Sequence, residues 1–239
     1  MTRPRYLIAG EAALSVEFGT TIDLALHAQV QALDQALAAA PPPGVIECVP
    51  SYRSLSILFD PLVTDHERLI AAVDAILADP PAVTATGRTL VVPVAYSAAW
   101  GEDLPWLAAQ CGLSEAEVVR RHTAQTYRVY MIGFIPGFTY LGGLDPALHT
   151  PRRVSPRLVT PSGSVAIGGQ QTGINPMDMP SGWHLIGRTP LTVFDPEREG
   201  RVFLFAAGDD IRFEAIDDAT YARLAADRSA LPRDIGPAA

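Results

Sequence analysis

The chain contains no lysine, and all 18 of its basic residues are arginine. This absence excludes three kinds of chemistry for the chain by itself, because a Walker phosphate loop, a Schiff-base enzyme and a biotin carrier each need a lysine amine. The sequence also lacks the GxGxxG, GxSxG and HExxH patterns. A dinucleotide fingerprint, a hydrolase nucleophile elbow and a zincin site are therefore excluded as well.

Cysteine and positive charge are scarce too. Cys48 and Cys111 have no CxxC or Cys/His spacing, which predicts two reduced structural thiols and no metal site. The net charge of −8 argues against nucleic acid or an anionic membrane as the main partner, since both select basic surfaces. The uncharged stretch 158–177 is rich in Gly, Pro, Ser and Thr, and acidic Glu11 follows the N-terminus closely. We therefore expect no membrane span and no signal peptide, and a cytoplasmic location.

The first third of the chain predicts alternating strands and helices. Apolar residues recur at about period two in the strands and at helical spacing from Ile22 to Leu37, while Thr64 and Glu67 form a capping box for a second helix. The predicted strands are 5–9, 13–18, 45–49, 55–59 and 89–95. From residue 13 the order is strand, helix, two strands, helix, strand, which is that of a ferredoxin-like split βαβ unit. We predict a ferredoxin-like α+β domain at 1–88.

The rest of the chain changes from helical to β texture. Two short helices are predicted at 103–111, ending at Gly112, and at 114–121, where Ser114 and Glu117 form a capping box. The predicted strands that follow are 128–132, 165–167, 183–186, 191–194, 202–206 and 211–215. A helix at 217–226 and a frayed tail after Pro232 complete the prediction. Short strands with closely spaced turn signals indicate a β-barrel or sandwich in a domain at 89–239.

Glycine and proline concentrate between Gly133 and Pro190, which hold ten Gly and eight Pro in 58 residues, roughly twice the density of the chain. A tight barrel needs such residues at its corners, and loops on a rigid scaffold also carry function. The segment contains four arginines against two aspartates, although the whole chain is acidic. Guanidinium groups match carboxylate or phosphate oxygens, so we predict an anionic small-molecule ligand. Aromatic residues for the pocket walls are Phe134, Phe138, Tyr140 and Trp183, for each of which core packing is the alternative.

The run GFIPGFTYLGGLDPALHTPRRVSPRLVTPSGSVAIGGQQTGINPMDMPSGWHLIGRTP resembles the signature of the 5-oxoprolinase B-subunit family. The segments GEAALSVEFG, PSYRSLSILFD and HTAQTYRVYMIGF are similar to that family too, so the resemblance covers nearly the whole chain. It implies a cyclophilin-like β-barrel in the C-terminal domain. It also implies a non-autonomous subunit that is inactive alone and that activates 5-oxo-L-proline with ATP and Mg²⁺ for hydrolysis to L-glutamate.

The resemblance implies partners as well. They are a C-type subunit, similar to allophanate hydrolase subunit 2, which shares or binds the ATP, and an A subunit that completes the reaction. The family also includes a protein that inhibits a sensor histidine kinase, and this regulator is one alternative function. A biotin-dependent carboxyltransferase subunit acting on urea or a related amide is another, and it would require a biotin-bearing partner because this chain has no lysine.

The resemblance also guides the choice of site residues. His122 precedes the TYRVY strand of the family pattern and is our candidate for proton handling, with a structural histidine at a helix end as the alternative. Arg188 is the second catalytic candidate, and with Arg152 and Arg157 it forms a predicted anion clamp. Backbone amides around Gly168, Gly169 and Gly173 are predicted to form an anion-binding nest. The remaining substrate-binding candidates are Gln170, Gln171, Thr172, Phe138, Tyr140 and Trp183.

Overall fold

The structure is a computed structural model that describes residues 3–79 and 87–238. The chain divides into two compact units, Met1–Thr84 and Ala85–Ala239. Each unit has a hydrophobic core of its own. Within the described residues, no helix is long and apolar enough to cross a membrane.

The N-terminal unit is an antiparallel sheet packed against two helices. Its elements are β1 (Arg5–Ile8), β2 (Ala13–Glu17), α1 (Leu24–Ala39), β3 (Val45–Pro50), β4 (Ser54–Phe59) and α2 (His66–Ala78). The strands lie in the order β1-β2-β4-β3. Leu14 and Val16 on β2 and Leu55 and Ile57 on β4 are fully buried, because alternate residues of a strand point to the same face. They pack in one core with apolar residues of α1, such as Leu33.

Two features of this unit differ from prediction. The predicted ferredoxin-like order counts the strand at 89–95, but that strand lies in the sheet of the other unit, and β1 occupies the position beside β2 instead. The run of apolar residues at 89–95 is mostly buried, on both faces of the strand, and a sheet covered on only one side would leave one of these faces exposed. The predicted capping box at Thr64 is also wrong. Asp65 caps α2 by accepting a hydrogen bond from the amide of Arg68 at 2.9 Å.

The second unit is built around a β-barrel. Its elements are β5 (Arg88–Ala95), α3 (Leu104–Cys111), α4 (Glu115–Ala124), β6 (Tyr127–Ile132), β7 (Thr139–Gly142), β8 (Arg157–Thr160), β9 (Ser164–Gly168), β10 (Gln171–Ile174), β11 (Met179–Ser181), β12 (His184–Arg188), β13 (Asp210–Ile216), α5 (Asp218–Ala225) and β14 (Arg233–Pro237). Seven strands follow the order β12-β9-β10-β7-β6-β13-β5, and pairing of Arg188 with Ala95 closes the ring. β14 extends the sheet beyond β5, and β8 pairs with β11 in a separate ribbon.

The barrel interior is filled by alternate residues of its strands. Val165 and Ile167 on β9, Ile174 on β10 and Leu141 on β7 are all fully buried and belong to one cluster. The residues between them point outward, as the period of two requires. The two faces of β9 and β10 therefore contribute to different parts of the molecule.

Most predicted elements of this unit are confirmed. Ser114 caps α4 by accepting from the Glu117 amide at 3.2 Å, and Gly112 ends α3 in the left-handed region at a φ of 67°. The strands predicted at 191–194 and 202–206 are wrong. Among the described residues these segments share only the isolated bridge between Phe194 and Phe203, so their buried apolar residues lie in loops. The tail after Pro232 is not frayed, because β14 pairs with the edge of β5.

Candidate functional site

A bed of small residues lies on the outer face of the barrel. Gly168 on β9 and Gly173 on β10 belong to it, as does Ala166 beside them. A Cβ at Gly168 would lie 2.6 Å from Cδ2 of Trp183, and one at Gly173 would lie 3.1 Å from the rings of Phe138 and Trp183. Only glycine therefore lets the aromatic rings approach the sheet this closely.

Three aromatic rings pack against these small residues. The ring centroids of Phe138 and Tyr140 are 4.6 Å apart, those of Phe138 and Trp183 are 5.6 Å apart, and those of Tyr140 and Trp183 are 6.0 Å apart. Each pair meets edge to face, the arrangement that ring quadrupoles favour. The rings border a cavity of about 110 Å³, which we call the aromatic pocket. Its other lining residues are Phe134, Arg152, Met179, Pro180, Ser181 and Gly182.

Arg152 supplies the charge of the aromatic pocket. Its guanidinium carbon lies 5.6 Å from the centroid of the Trp183 ring, within the range of a cation–π contact. No carboxylate among the described residues forms an ion pair with Arg152. Burial raises the pKa of the Tyr140 hydroxyl, although the charge of Arg152 opposes the rise. At neutral pH the pocket therefore has a protonated phenol as a hydrogen-bond donor and one cation available to an anion.

Phe134 forms the rim of the aromatic pocket in an unusual backbone conformation. Its φ is 67°, in the left-handed region that residues other than glycine rarely occupy. The side chain is 69% exposed and meets Phe138 edge to face at 6.4 Å. An exposed aromatic side chain and a sparsely populated backbone conformation both occur often at ligand sites.

The predicted clamp of three arginines does not form. Arg157 is already neutralised, because its Nη1 and Nη2 each lie 2.8 Å from Asp103 and its Nε lies 2.9 Å from Glu102. Arg188 is at the far end of β12, five residues and about 16 Å along the strand from Trp183. Of the three arginines, the structure places only Arg152 at the aromatic pocket.

The surroundings of Arg188 indicate a structural contact. Its guanidinium carbon lies 5.3 Å from the centroid of the Trp100 ring, and its charge opposes the rise that burial causes in the pKa of Tyr221 on α5. Trp100 and Tyr221 are themselves stacked at 3.9 Å. The catalytic role predicted for Arg188 therefore has no support from a shared cavity with Arg152.

Asp103 holds the segment that carries Arg152. Its carboxylate accepts from the amide of Leu185 at 2.8 Å, from Arg153 at 3.1 Å and from Arg157 at 2.8 Å. Burial raises the pKa of Asp103, but its hydrogen bonds to Arg157 and to the Leu185 amide outweigh burial and hold the pKa below its ordinary value. The carboxylate thus fixes both ends of the segment 153–157 to the barrel. The sequence pattern does not single out Asp103 as a site residue, since it lies some fifty residues before the arginines that it binds.

The predicted nest at the β9–β10 turn loses one of its donors in the structure. The Gly169 amide donates to the carbonyl oxygen of Thr150 at 2.7 Å, so this donor is already used. Gln170 is exposed, and Gln171 is buried outside the lining of the aromatic pocket. Thr172 points into the barrel. The glycines contribute space for the rings rather than amides for an anion.

His122 lies inside the barrel and is fully buried. Its Nε2 is 3.0 Å from the hydroxyl of Thr172, which donates its own proton to the Ala166 carbonyl, and its Nδ1 is 2.8 Å from the hydroxyl of Tyr96. The imidazole must therefore donate from Nε2 and accept at Nδ1. Burial lowers the pKa of His122 to about 3. This closed, neutral arrangement argues against the predicted role in proton handling and favours the structural alternative.

Comparison with known proteins identifies the family. Residues 4–204 match the family model described as carboxyltransferase domain, subdomain C and D. A curated relative from Escherichia coli O157:H7, which is the B subunit of 5-oxoprolinase by name, is 41% identical over 219 residues, which are 89% of this chain and 96% of that protein. The chain belongs to the 5-oxoprolinase B-subunit family.

Solved structures agree with this family assignment. The crystal structure of TTHA0988 is 38% identical with a TM-score of 0.78, and the match covers 87% of this chain but 40% of that one. This chain thus spans about two fifths of the length of TTHA0988. The urea amidolyase of K. lactis has a TM-score of 0.80 at 19% identity, covering 97% of this chain and 16% of that one, which is a likeness of fold alone.

Proposed function

We propose that this member of the 5-oxoprolinase B-subunit family acts in a cytoplasmic, ATP-dependent 5-oxoprolinase, and that its aromatic pocket binds 5-oxo-L-proline. The observation that carries the proposal is the combination of three rings with one unpaired guanidinium in a cavity of about 110 Å³. 5-Oxoproline is a small ring with an apolar edge and a carboxylate. The pocket offers a complement to each of these parts.

In this proposal the carboxylate pairs with Arg152, and the methylene carbons of the ring pack against Trp183 and Phe138. A charge-assisted contact in a largely apolar pocket provides both affinity and orientation. In this pose the lactam group lies beside the Ser181 hydroxyl, which accepts from the Trp183 amide at 3.1 Å, and beside Tyr140, since both residues line the pocket. This chain would therefore hold and orient the lactam rather than transfer its protons.

ATP supplies the driving force in the proposed reaction by phosphorylating the lactam oxygen, which makes the carbonyl carbon a better target for water. Hydrolysis then breaks the ring C–N bond and yields L-glutamate, ADP and phosphate. No group of three or more His, Cys, Asp or Glu residues suited to a metal occurs among the described residues. In our proposal Mg²⁺ arrives with the nucleotide phosphates. The C-type partner shares or binds this nucleotide.

The proposed assembly with C-type and A subunits is supported by two observations. The matched crystal chain TTHA0988 continues well beyond the region shared with this one. In this chain, the large apolar side chains of Val154, Leu158 and Val159 are exposed on the segment that adjoins the aromatic pocket. Large exposed apolar side chains are common at protein interfaces, and in our proposal a C-type subunit seated there shields the pocket from water.

For the fold, we propose that the seven-strand barrel is of the cyclophilin-like kind, as the family resemblance implies. We also propose that the N-terminal unit is a permuted ferredoxin-like domain. Support for the second proposal is that β1 lies beside β2, where the last strand of a ferredoxin-like order would lie, with both helices on the sheet.

The test is reconstitution of the three subunits with wild-type chain, Arg152→Met or Arg212→Met. Arg212 is an exposed arginine on β13, and its replacement removes the same charge from the barrel. We expect R152M to raise KM for 5-oxoproline about 10- to 100-fold, since a charge-assisted contact is lost, and R212M to behave like wild type. Equal KM values for the two variants would remove Arg152 from the site.

The same preparation tests the proposed function as a whole. Absence of ATP-dependent glutamate formation by the wild-type assembly would contradict it. Tight binding to the dimerisation domain of a sensor histidine kinase would favour the regulator, and transfer from carboxybiotin to urea would favour the carboxyltransferase.

A further inference from the structure

A second cavity shares Arg152 with the aromatic pocket. It has a volume of about 520 Å³ and lies between α3 and the segment 151–155, and we call it the α3 groove. This volume is well within the range of sites that take a whole small molecule, and it is several times that of the aromatic pocket. The function proposed above uses only the smaller cavity.

One end of the α3 groove is an aromatic stack. The indole of Trp106 lies over the imidazole of His184, with centroids 4.3 Å apart and planes inclined by 13°. Trp106 is 49% exposed, whereas its neighbours Leu104 and Leu107 on α3 are buried. A half-exposed indole that is already stacked on one side has surface available for a further planar ring.

His184 makes this stack rigid. It is 3% exposed, and its Nε2 donates to the carbonyl oxygen of Pro151 at 2.9 Å. Nδ1 must therefore be the acceptor, and it has no hydrogen-bond partner among the described residues. A buried acceptor left without a partner is uncommon and often marks a ligand or water site. Trp106 is thus stacked on an imidazole that a hydrogen bond holds in place and whose Nδ1 lacks a partner among the described residues.

The other end of the α3 groove is positively charged. Arg152 forms no ion pair with a described carboxylate, and Arg153 shares the single carboxylate of Asp103 with Arg157. The lining of the groove thus holds two guanidinium groups, Arg152 and Arg153, against the one carboxylate of Asp103, which leaves one positive charge in excess at this end. An anion is the natural partner of such an excess.

From these two ends we infer that the α3 groove binds a nucleotide, with the base on Trp106 and the phosphates at Arg152 and Arg153. A nucleotide combines a planar aromatic ring and an anionic group at the two ends of one molecule. Gln110, which follows Trp106 by one helical turn, lies next to the base and provides both a donor and an acceptor. The choice of adenine nucleotides as probes rests on the function proposed above, whereas the geometry itself specifies an aromatic anion.

This placement deepens the proposed function. Arg152 borders both cavities, so the phosphates in the α3 groove would lie beside the mouth of the aromatic pocket. The two proposed ligands would then meet at one guanidinium. This chain, and not solely a partner, would hold the nucleotide.

The test is calorimetric titration of the full chain, alone and with its C-type partner, with MgATP, ADP, AMP, adenosine and tripolyphosphate. The variants are Trp106→Ala, Trp106→Phe and Arg152→Met. We expect W106A to weaken ATP and ADP binding about 10-fold or more, and W106F to restore most of it because a ring is kept. R152M should weaken ATP binding and leave adenosine binding unchanged.

Several results would overturn the inference. They are unchanged ATP affinity in W106A, tripolyphosphate affinity equal to that of ATP, or adenosine affinity equal to that of ATP in the wild type. The thermal unfolding midpoint of each variant separates a lost contact from a lost fold. If the assembled wild-type enzyme forms glutamate while W106A keeps its ATP affinity, the nucleotide site fails and the proposed function stands. If nucleotides bind as expected but no glutamate forms, the nucleotide site stands and the proposed function fails.

Discussion

The inner and outer faces of strands β9 and β10 adjoin polar groups in opposite states. Inside the barrel, both ring nitrogens of His122 are hydrogen-bonded, to Thr172 and to Tyr96. Outside, Arg152 lies over Trp183 without a carboxylate partner among the described residues. Buried polar groups with partners make a fold specific, whereas an unpaired cation in a cleft is available to a ligand. We therefore expect substitutions inside the barrel to change stability and substitutions at the aromatic pocket to change ligand binding.

The largest expected loss of stability comes from replacing Asp103, whose carboxylate connects the outer site to the barrel. Replacing Asp103 with Ala leaves Arg157 without its bidentate partner and the Leu185 amide without its acceptor. We expect the free energy of unfolding to fall by about 3 kcal/mol, because a partly buried ion network loses the anion that two arginines share. Urea unfolding of the purified chain measures the loss. A fall below about 1 kcal/mol would show that the network contributes little.

The pH dependence of this network has a definite sign. The folded pKa of Asp103 is lowered, so its carboxylate stabilises the fold fully above the unfolded pKa of about 3.9. That stability is lost as the pH falls through the lower folded pKa. The variant Asp103→Asn should unfold with less pH dependence than wild type in this acid range, and an identical dependence would contradict the assignment.

The second prediction concerns the inner face. Replacing His122 with Phe keeps a ring of similar size but leaves the Tyr96 hydroxyl, which is buried, without its acceptor. We expect a loss of about 2 kcal/mol in the free energy of unfolding. Binding of 5-oxoproline by the folded variant should be unchanged. If binding were lost while stability stayed the same, His122 would belong to the site after all.

His122 also predicts a dependence on pH that its Phe variant lacks. Its folded pKa of about 3 is well below the unfolded value of about 6.5, so the unfolded state binds the proton first. Between these two values stability falls as the pH falls, by at most about 1.4 kcal/mol per pH unit from this group. The stability advantage of about 2 kcal/mol that wild type has over H122F at neutral pH should therefore shrink below pH 6.5 and be lost at about pH 5, within the measured range of pH 7 to 4.

The sequence allowed the aromatic residues of the outer pocket to be predicted. It did not show which of the arginines is paired with a carboxylate. Phe138 directly precedes β7 and Tyr140 lies on it, and side chains two residues apart in an extended chain share a face, so the two rings meet. Arg157 and Arg152 look alike in sequence, and only the fold shows that Asp103, some fifty residues away, neutralises one and not the other. Local patterns fix faces, whereas pairing between distant charges depends on tertiary packing.

The smallest expected effect tests the bed of glycines, with a neighbouring glycine as the matched control. A methyl group at Gly168 would lie 2.6 Å from Trp183, so the indole must shift. At Gly169 no atom lies within 4 Å of an added Cβ, and the cost comes from the φ of 66° alone. We expect each Ala variant to lose about 1 kcal/mol of stability.

The two glycine variants should differ at the outer face. Because the shifted indole forms a wall of the aromatic pocket, G168A should raise the KM for 5-oxoproline about 10-fold and change the near-ultraviolet circular dichroism of Trp183. G169A should do neither, since its strain lies in the backbone of the turn. Equal KM values in these two variants would show that the ring position does not matter to the ligand, and the distinction between the two faces of the strands would then apply to stability alone.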